Sequence, residues 1–268
     1  MGGLGPPRPG GLAIRGLVTA VRFLTIVPVP GRALEGADAL GRAAAWFPLV
    51  GLALGGLLWL LNGALTRLVE PSLSGVFVLM AWKLLTGGIH LDGLADSLDG
   101  LAGKDRAERL AIMRDGRIGT YGALGLVFVL LTAYAVLANL VVSTFRAPGL
   151  VLAPAVGRLG PLLLARTFLP AAGGGSGAAF MGVVSWKALA LGAIPVGAAS
   201  VALSGAWGLL IAAVGLAVAW AAAGFFSRRL GGLTGDVLGA AVELAELAVL
   251  VVYVAYQFSS IRDGDLFR

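Results

Sequence analysis

The chain contains no cysteine, a single histidine, and only 13% charged residues among its 268 positions. Without cysteine there can be no disulfide, no thiolate nucleophile and no sulfur-ligated metal. A soluble domain carries about 25% charged residues, and half that fraction argues against a water-exposed globule. The N-terminus "MGGLGPPRPGG" has no signal-peptide pattern, and "MGGLGP" lacks the Ser or Thr of a myristoylation site. No Walker A sequence occurs, and no G-x-G-x-x-G follows a strand, so neither a P-loop nor a Rossmann nucleotide site is expected.

What is present is apolar. Hydrophobic residues make up 58% of the chain, there are 42 glycines, and the mean hydropathy is +0.93. Apolar runs near 20 residues recur, and small residues let membrane helices approach closely. The expected fold is all-α: a polytopic membrane helical bundle of about seven transmembrane helices plus an N-terminal interfacial helix. Candidate spans lie at 43–63, 71–90, 121–145, 148–170, 186–205, 206–226 and 235–257. Residues 1–10 are expected to be disordered, 11–257 to form one membrane-embedded catalytic domain, and 258–268 a short tail. "GLAIRGLVTAVRFLTIVPVP" places Arg15 and Arg22 on one face of an apolar helix, the pattern of a helix lying in the interface.

The net charge of +6 suits cytoplasmic loops and anionic lipid head groups better than nucleic acid, and no nucleic-acid partner is expected. "LAGKDRAERLAIMRDGRIGTYG" is rich in Lys and Arg, and Arg228 with Arg229 marks a second basic loop. Four spans separate the two, so both face the cytoplasm by the positive-inside rule. The Gly-rich stretch at 171–180 then falls on the same side. Small-residue faces permit association of copies into a homo-oligomer without fixing a subunit number.

"HLDGLADSLDG", residues 90–100, holds the chemistry. Asp92, Asp96 and Asp99 stand at i, i+4 and i+7, within about 60° of arc on one helical face. Three like charges on one stripe near a bilayer need a positive partner. Oxygen-only ligands favour Mg²⁺, with Mn²⁺ as the alternative. Gly93 and Gly100 leave room for a substrate or a second backbone. In "LTGDVLGAAVELAEL", Asp236, Glu243 and Glu246 share about 80° of arc. Asp236 and Glu243 are read as further metal ligands. Glu246 is either a site acid or the buried partner of Arg158 or Lys83. On a continuous helix His90 points away from the aspartate stripe, and only a break at "TGG" would turn it inward. Its role is catalytic or structural. In "RDGRIGTYG", Arg114 and Arg117 with flanking glycines suit a polyphosphate, because guanidinium forks bind phosphate oxygens bidentately. Lys104, Arg158 and Arg228 join them as candidate substrate- or phosphate-binding residues. Acids, arginines and glycines in this pattern indicate phosphoryl-type transfer from a nucleoside diphosphate, with a large or amphipathic substrate.

"GGIHLDGLADSLDG", "RDGRIGTYG" and "GGLTGDVLGAAVELAE" closely resemble the three signature stretches of the cobalamin synthase family, the adenosylcobinamide-GDP ribazoletransferases. "RFLTIVPVP", "FPLVGLALG" and "APAVGR" resemble that family in the same order. The resemblance implies transfer from adenosylcobinamide-GDP to α-ribazole or its 5′-phosphate, with Mg²⁺, releasing GMP. It carries Asp92, Asp96, Asp99, Asp236, Glu243, Arg114, Arg117 and Tyr121 over as site residues. Two alternatives stand beside it. The CDP-alcohol phosphotransferases also cluster aspartates on membrane helices, but in the pattern D-x-x-D-G-x-x-A-R, whose Arg is missing here. A cation or corrinoid transporter would place acids along a permeation path near midplane.

Overall fold

The computed structural model describes residues 9–140, 146–172 and 174–262. Among them the regular structure is helical, apart from one parallel bridge between Pro170 and Leu233. The helices are α1 (Pro9–Leu24), α2 (Ala39–Ala43), α3 (Phe47–Leu65), α4 (Pro71–Leu85), α5 (Ile89–Asp99), α6 (Arg106–Met113), α7 (Thr120–Leu140), α8 (Arg146–Thr167), α9 (Ser176–Val183), α10 (Trp186–Leu230) and α11 (Gly235–Arg262). Helix α1 begins at Pro9, inside the stretch expected to be disordered, and residues 1–8 lie outside the described part. Helix α11 runs to Arg262, beyond the 257 expected, and the rest of the tail, 263–268, is likewise outside it.

Among the described residues five segments are long and apolar enough to cross a membrane, or six if the bent pair α4–α5 counts as one, against about seven expected. The difference lies in α10. Its 45 residues include Ser204 and Gly205 with non-helical backbone, Gly205 at φ 57°. The Cα of Gly208 packs directly against the Ser200 carbonyl, an approach impossible along one straight helix. The chain therefore folds back here, at the boundary where the sequence suggested two separate spans. Ser204 Oγ and Tyr253 Oη, 2.8 Å apart, tie the turn to α11.

Helix α8 is the hub, with 83% of its span buried against 22% for α7. It packs on α3, α10 and α11. Its seam with α3 shows why so many residues are small. Pro154 has no N–H, so the Leu150 carbonyl one turn earlier lacks its helical donor. Gly55 fills that gap: a Cβ there would lie 2.6 Å from the Leu150 oxygen. Gly51 meets the Pro154 carbonyl in the same way, at 2.5 Å. Without a hydrophobic drive between helices in lipid, such close backbone contact supplies the packing energy.

Helix α1 packs Val18, Ala20 and Leu24 inward and leaves Leu12, Ile14 and Phe23 exposed. Arg15 donates to the Ala33 carbonyl, at 2.9 Å from Nη2, and Arg22 to the carbonyls of Val29 and Gly31. Both arginines therefore hold the proline-containing loop that follows α1, and Ile26 N–H bonds Leu85 O at the end of α4.

The α3–α8 seam predicts that Gly55→Leu lowers the thermal midpoint in detergent by about 2–12 °C, taking about 1–3 kcal/mol of overpacking and about 2–4 °C per kcal/mol. Gly56→Leu, which meets open space, should leave it unchanged or raised. Equal losses in both would contradict backbone contact at this seam.

Candidate active site

Gly87 and Gly88, at φ 62° and 69°, end α4 and start α5 in a conformation that costs other residues strain. The two helices meet at 86°. The break anticipated at "TGG" exists, and it lays α5 across the end of the bundle against α11. Gly93 faces the α11 backbone so closely that a Cβ would stand 2.6 Å from Asp236 O, and Gly239 returns the fit against His90 Cα. Gly93 thus makes room for a second backbone, one of the two uses foreseen for it. Gly100 makes room for the Met113 side chain.

The α5–α11 contact brings Asp236 to the aspartate stripe. Asp96 feels the like charges of Asp92, Asp236 and Asp99. Asp92, Asp96 and Asp236 make no salt bridge among the described residues. Asp92 is exposed, while Asp96 and Asp236 are half-buried.

The other two expected ligands are engaged elsewhere. Asp99 is buried and accepts the backbone N–H groups of Gly119 at 2.7 Å and Gly122 at 2.8 Å. It anchors the start of α7, where helix N–H groups lack partners and a carboxylate is favoured. Glu243 accepts from Lys83 Nζ at 2.6 Å. Glu246 takes the same ammonium at 3.0 Å and also pairs with Arg158. The site-acid reading of Glu246 therefore gives way to the buried partnership, and with both cations at once. Arg158 is 1% exposed, and its Nη2 lies 3.5 Å from His90 Nδ1. It is a member of this charge network rather than an open phosphate hook.

The basic loop is only partly free. In α6, Asp105 accepts from the Glu108 N–H and Glu108 from the Lys104 N–H, a reciprocal helix cap. Arg117 forks onto Asp115, and that guanidinium holds the Asp115 carboxyl below the usual carboxylate range. Lys104, Arg114, Tyr121 and Arg228 are exposed. Asp99 links the start of α7, and with it the loop, to α5. Arg109 reaches the Arg229 carbonyl at 3.3 Å, so both basic loops stand at one end of the bundle. The connection before α9 is there too, because Gly177 abuts the Gly235 backbone and Ala171 N–H bonds Leu233 O.

Comparison with known proteins shows the family. The CobS family, described as cobalamin-5-phosphate synthase, matches residues 16–254. The chain belongs to that family. It is 35% identical over 246 residues to the adenosylcobinamide-GDP ribazoletransferase of Acetivibrio thermocellus, covering 91% of this chain and 99% of that one. It is 40% identical over 247 residues to the enzyme of the same name from Klebsiella pneumoniae strain 342, covering 89% and 98%. No solved structure matches the chain.

For a cobalamin-5-phosphate synthase family member, the donor chemistry at α5 and α11 fits a hard cation. Among the described residues no three acids converge into a cage for one ion. Mg²⁺ does not require one, since it keeps several waters and takes one or two carboxylates together with substrate phosphates. Asp92, Asp96 and Asp236 offer carboxylates on those terms. Asp99 and Glu243, whose oxygens are held by amides and by Lys83, offer much less.

Two stability measurements separate these roles. Asp99→Asn replaces an acceptor oxygen with an N–H donor facing a backbone N–H, which costs about 1–3 kcal/mol and should lower the midpoint followed by tryptophan fluorescence. Asp96→Asn relieves repulsion and should leave the midpoint equal or higher. The reverse order would place Asp99, not Asp96, among the uncompensated acids. In the buried network, Arg158→Met and Glu246→Gln each strand a charge, at about 3–5 kcal/mol. The double variant should recover part of that loss, and simple addition of the two losses would show that the pair is not coupled.

Proposed function

We propose that the chain is an adenosylcobinamide-GDP ribazoletransferase, joining adenosylcobinamide-GDP to α-ribazole or its 5′-phosphate to give adenosylcobalamin or its 5′-phosphate plus GMP. The observation that carries this reading is the uncompensated acid set Asp92, Asp96 and Asp236, assembled by the Gly93 contact in a chain related over nine-tenths of its length to enzymes of that name. A Mg²⁺ ion, or Mn²⁺, held there would neutralise the diphosphate and the departing GMP.

The remaining work falls to the chain itself. The diphosphate lies at the bundle end among Arg114, Arg117 and Lys104, whose forked and point charges bind phosphate oxygens. Arg228, on the adjoining loop, adds charge at the rim of the same face. A ribose hydroxyl of the acceptor attacks the phosphorus that bears the cobinamide. The new P–O bond forms as the P–O bond to GMP breaks, and the hydroxyl proton leaves to a carboxylate of the set or to water. In-line placement of the two substrates is the main source of rate, since phosphoryl transfer asks little covalent chemistry of the protein.

The exposed leucines, valines and tryptophans along α3, α7 and α10 support a multi-pass place in the cytoplasmic membrane of a prokaryote, with lipid as a standing partner. The active end carries the basic loops and faces the cytoplasm. An amphipathic corrinoid can be delivered to it from the membrane surface. The small-residue faces leave room for a homo-oligomer.

Purified in detergent, the protein should release GMP from adenosylcobinamide-GDP only with α-ribazole and Mg²⁺ both present. Asp96→Asn should abolish release, and Glu70→Gln, on an exposed turn away from the site, should not. Turnover of CDP-diacylglycerol with an alcohol, and none of the corrinoid, would instead favour the phosphotransferase alternative. Corrinoid uptake into sealed vesicles without GMP would favour transport.

A further inference from the structure

The acid set leaves one neighbouring cavity unused. It encloses about 220 Å³ between α1, α3, α5, α8, α9 and α11. One wall is aromatic: Phe23, Phe47 and Phe180 run in sequence, with centroids 5.8 and 5.7 Å apart and planes inclined by only 25° and 15°. The polar wall is His90, Arg158 and Asp236. Ser176 and Gly177 line it from α9. Asp236 thus belongs to both the cavity and the acid set.

His90 is buried and meets Arg158 on its Nδ1 side. Arg158 Nη2, a donor that cannot accept, approaches Nδ1, which must then present its lone pair. A ring that accepts this contact at Nδ1 carries its proton on Nε2 and has that N–H to donate. Such a cavity selects its ligand. The three phenyl rings stack on one another and together give the cavity an apolar aromatic lining, against which a flat apolar ring system gains ring–ring contacts worth about 0.5–1.5 kcal/mol per pair. Guanine carries donors and acceptors around its whole edge, and most would be left unpaired against phenylalanine. The base of α-ribazole, an apolar bicycle with one free ring nitrogen, leaves one acceptor for one donor.

We propose that this cavity is the acceptor site: the α-ribazole base stacks on the Phe23–Phe47–Phe180 wall, His90 Nε2–H donates to its ring nitrogen, and the ribose points past Asp236 to the acids. The assignment rests on the ribazole-transfer reading above and adds to it the place and the specificity of one substrate. His90 is a binding residue in this scheme, and the aromatic wall sets the preference for an apolar base.

The test uses the intact protein in detergent and α-ribazole itself as the fluorescent probe. Ser176→Trp fills the mouth from an exposed position, and Phe23→Leu trims the wall at a half-exposed one. Ser176→Trp should weaken α-ribazole binding tenfold or more and raise its KM equally, with the KM for adenosylcobinamide-GDP within twofold of normal. Phe23→Leu should do the same by threefold or more. Unchanged α-ribazole binding in both variants overturns the proposal, as does a KM rise for adenosylcobinamide-GDP that equals or exceeds the rise for α-ribazole. If the unaltered protein releases no GMP, the transfer reading fails, and the binding measurement alone decides the cavity.

Discussion

Four charges, three of them buried and the fourth nearly so, hold this molecule in register. Lys83 on α4 and Arg158 on α8 meet Glu243 and Glu246 on α11, and the two carboxylates balance the two cations. Inside a bilayer an isolated charge is costly, so each of these side chains fixes where its partners' helices can lie. Glu246 bridges both cations, which locks α4 and α8 to the same turn of α11. Everything at the active end inherits that registration. Lys83 stands one turn before the Gly87–Gly88 break, so the network also sets where α5 departs. His90, the first side chain of α5 to turn inward, lands against Arg158.

Glycine then converts registration into proximity. The acids of α5 and α11 come together only because Gly93 lets one backbone touch the other, and Gly239 lets the contact continue past His90. Gly177 does the same for α9 against Gly235, which closes the cavity beside Asp236. Aspartates on a helix stripe repel and would push two helices apart. Here backbone contact is supplied at the same turns that carry the repulsion, so packing offsets the electrostatic cost of assembling the site.

Much of this was legible in the sequence, and the parts that were not share a cause. Apolar run lengths and Lys/Arg loops indicated a helical bundle with its basic loops at one end, and the contact of Arg109 with Arg229 agrees. The break at "TGG" followed from two adjacent glycines. The count of spans depends on two breaks: the hairpin at Ser204–Gly205 falls where the sequence divided two apolar runs, and the bend at Gly87–Gly88 is a change of direction that hydropathy alone does not report. The role of Asp99 was hidden for a different reason. Helical periodicity places Asp92, Asp96 and Asp99 on one stripe, but the amides that claim Asp99 are those of Gly119, just before α7, and Gly122, in its first turn. The aromatic wall was equally unreadable, since Phe23, Phe47 and Phe180 come from three helices with no common period.

The stripe on α11 shows how depth assigns chemistry to identical functional groups. Asp236 and Glu243 are seven residues apart, about 10 Å along the helix axis. At the deeper position water is scarce, and a carboxylate persists as an anion only beside a permanent cation, which Lys83 provides. At the shallower position water and solutes have access, and the charge can wait for a partner that arrives with the substrate. A permanent protein cation at Asp236 would compete with any metal–diphosphate complex and cancel the field that draws it in. Among the described residues Asp92, Asp96 and Asp236 make no ion pair, whereas Glu243 two turns below is paired with Lys83, and that contrast suits a site that takes its positive charge together with the substrate.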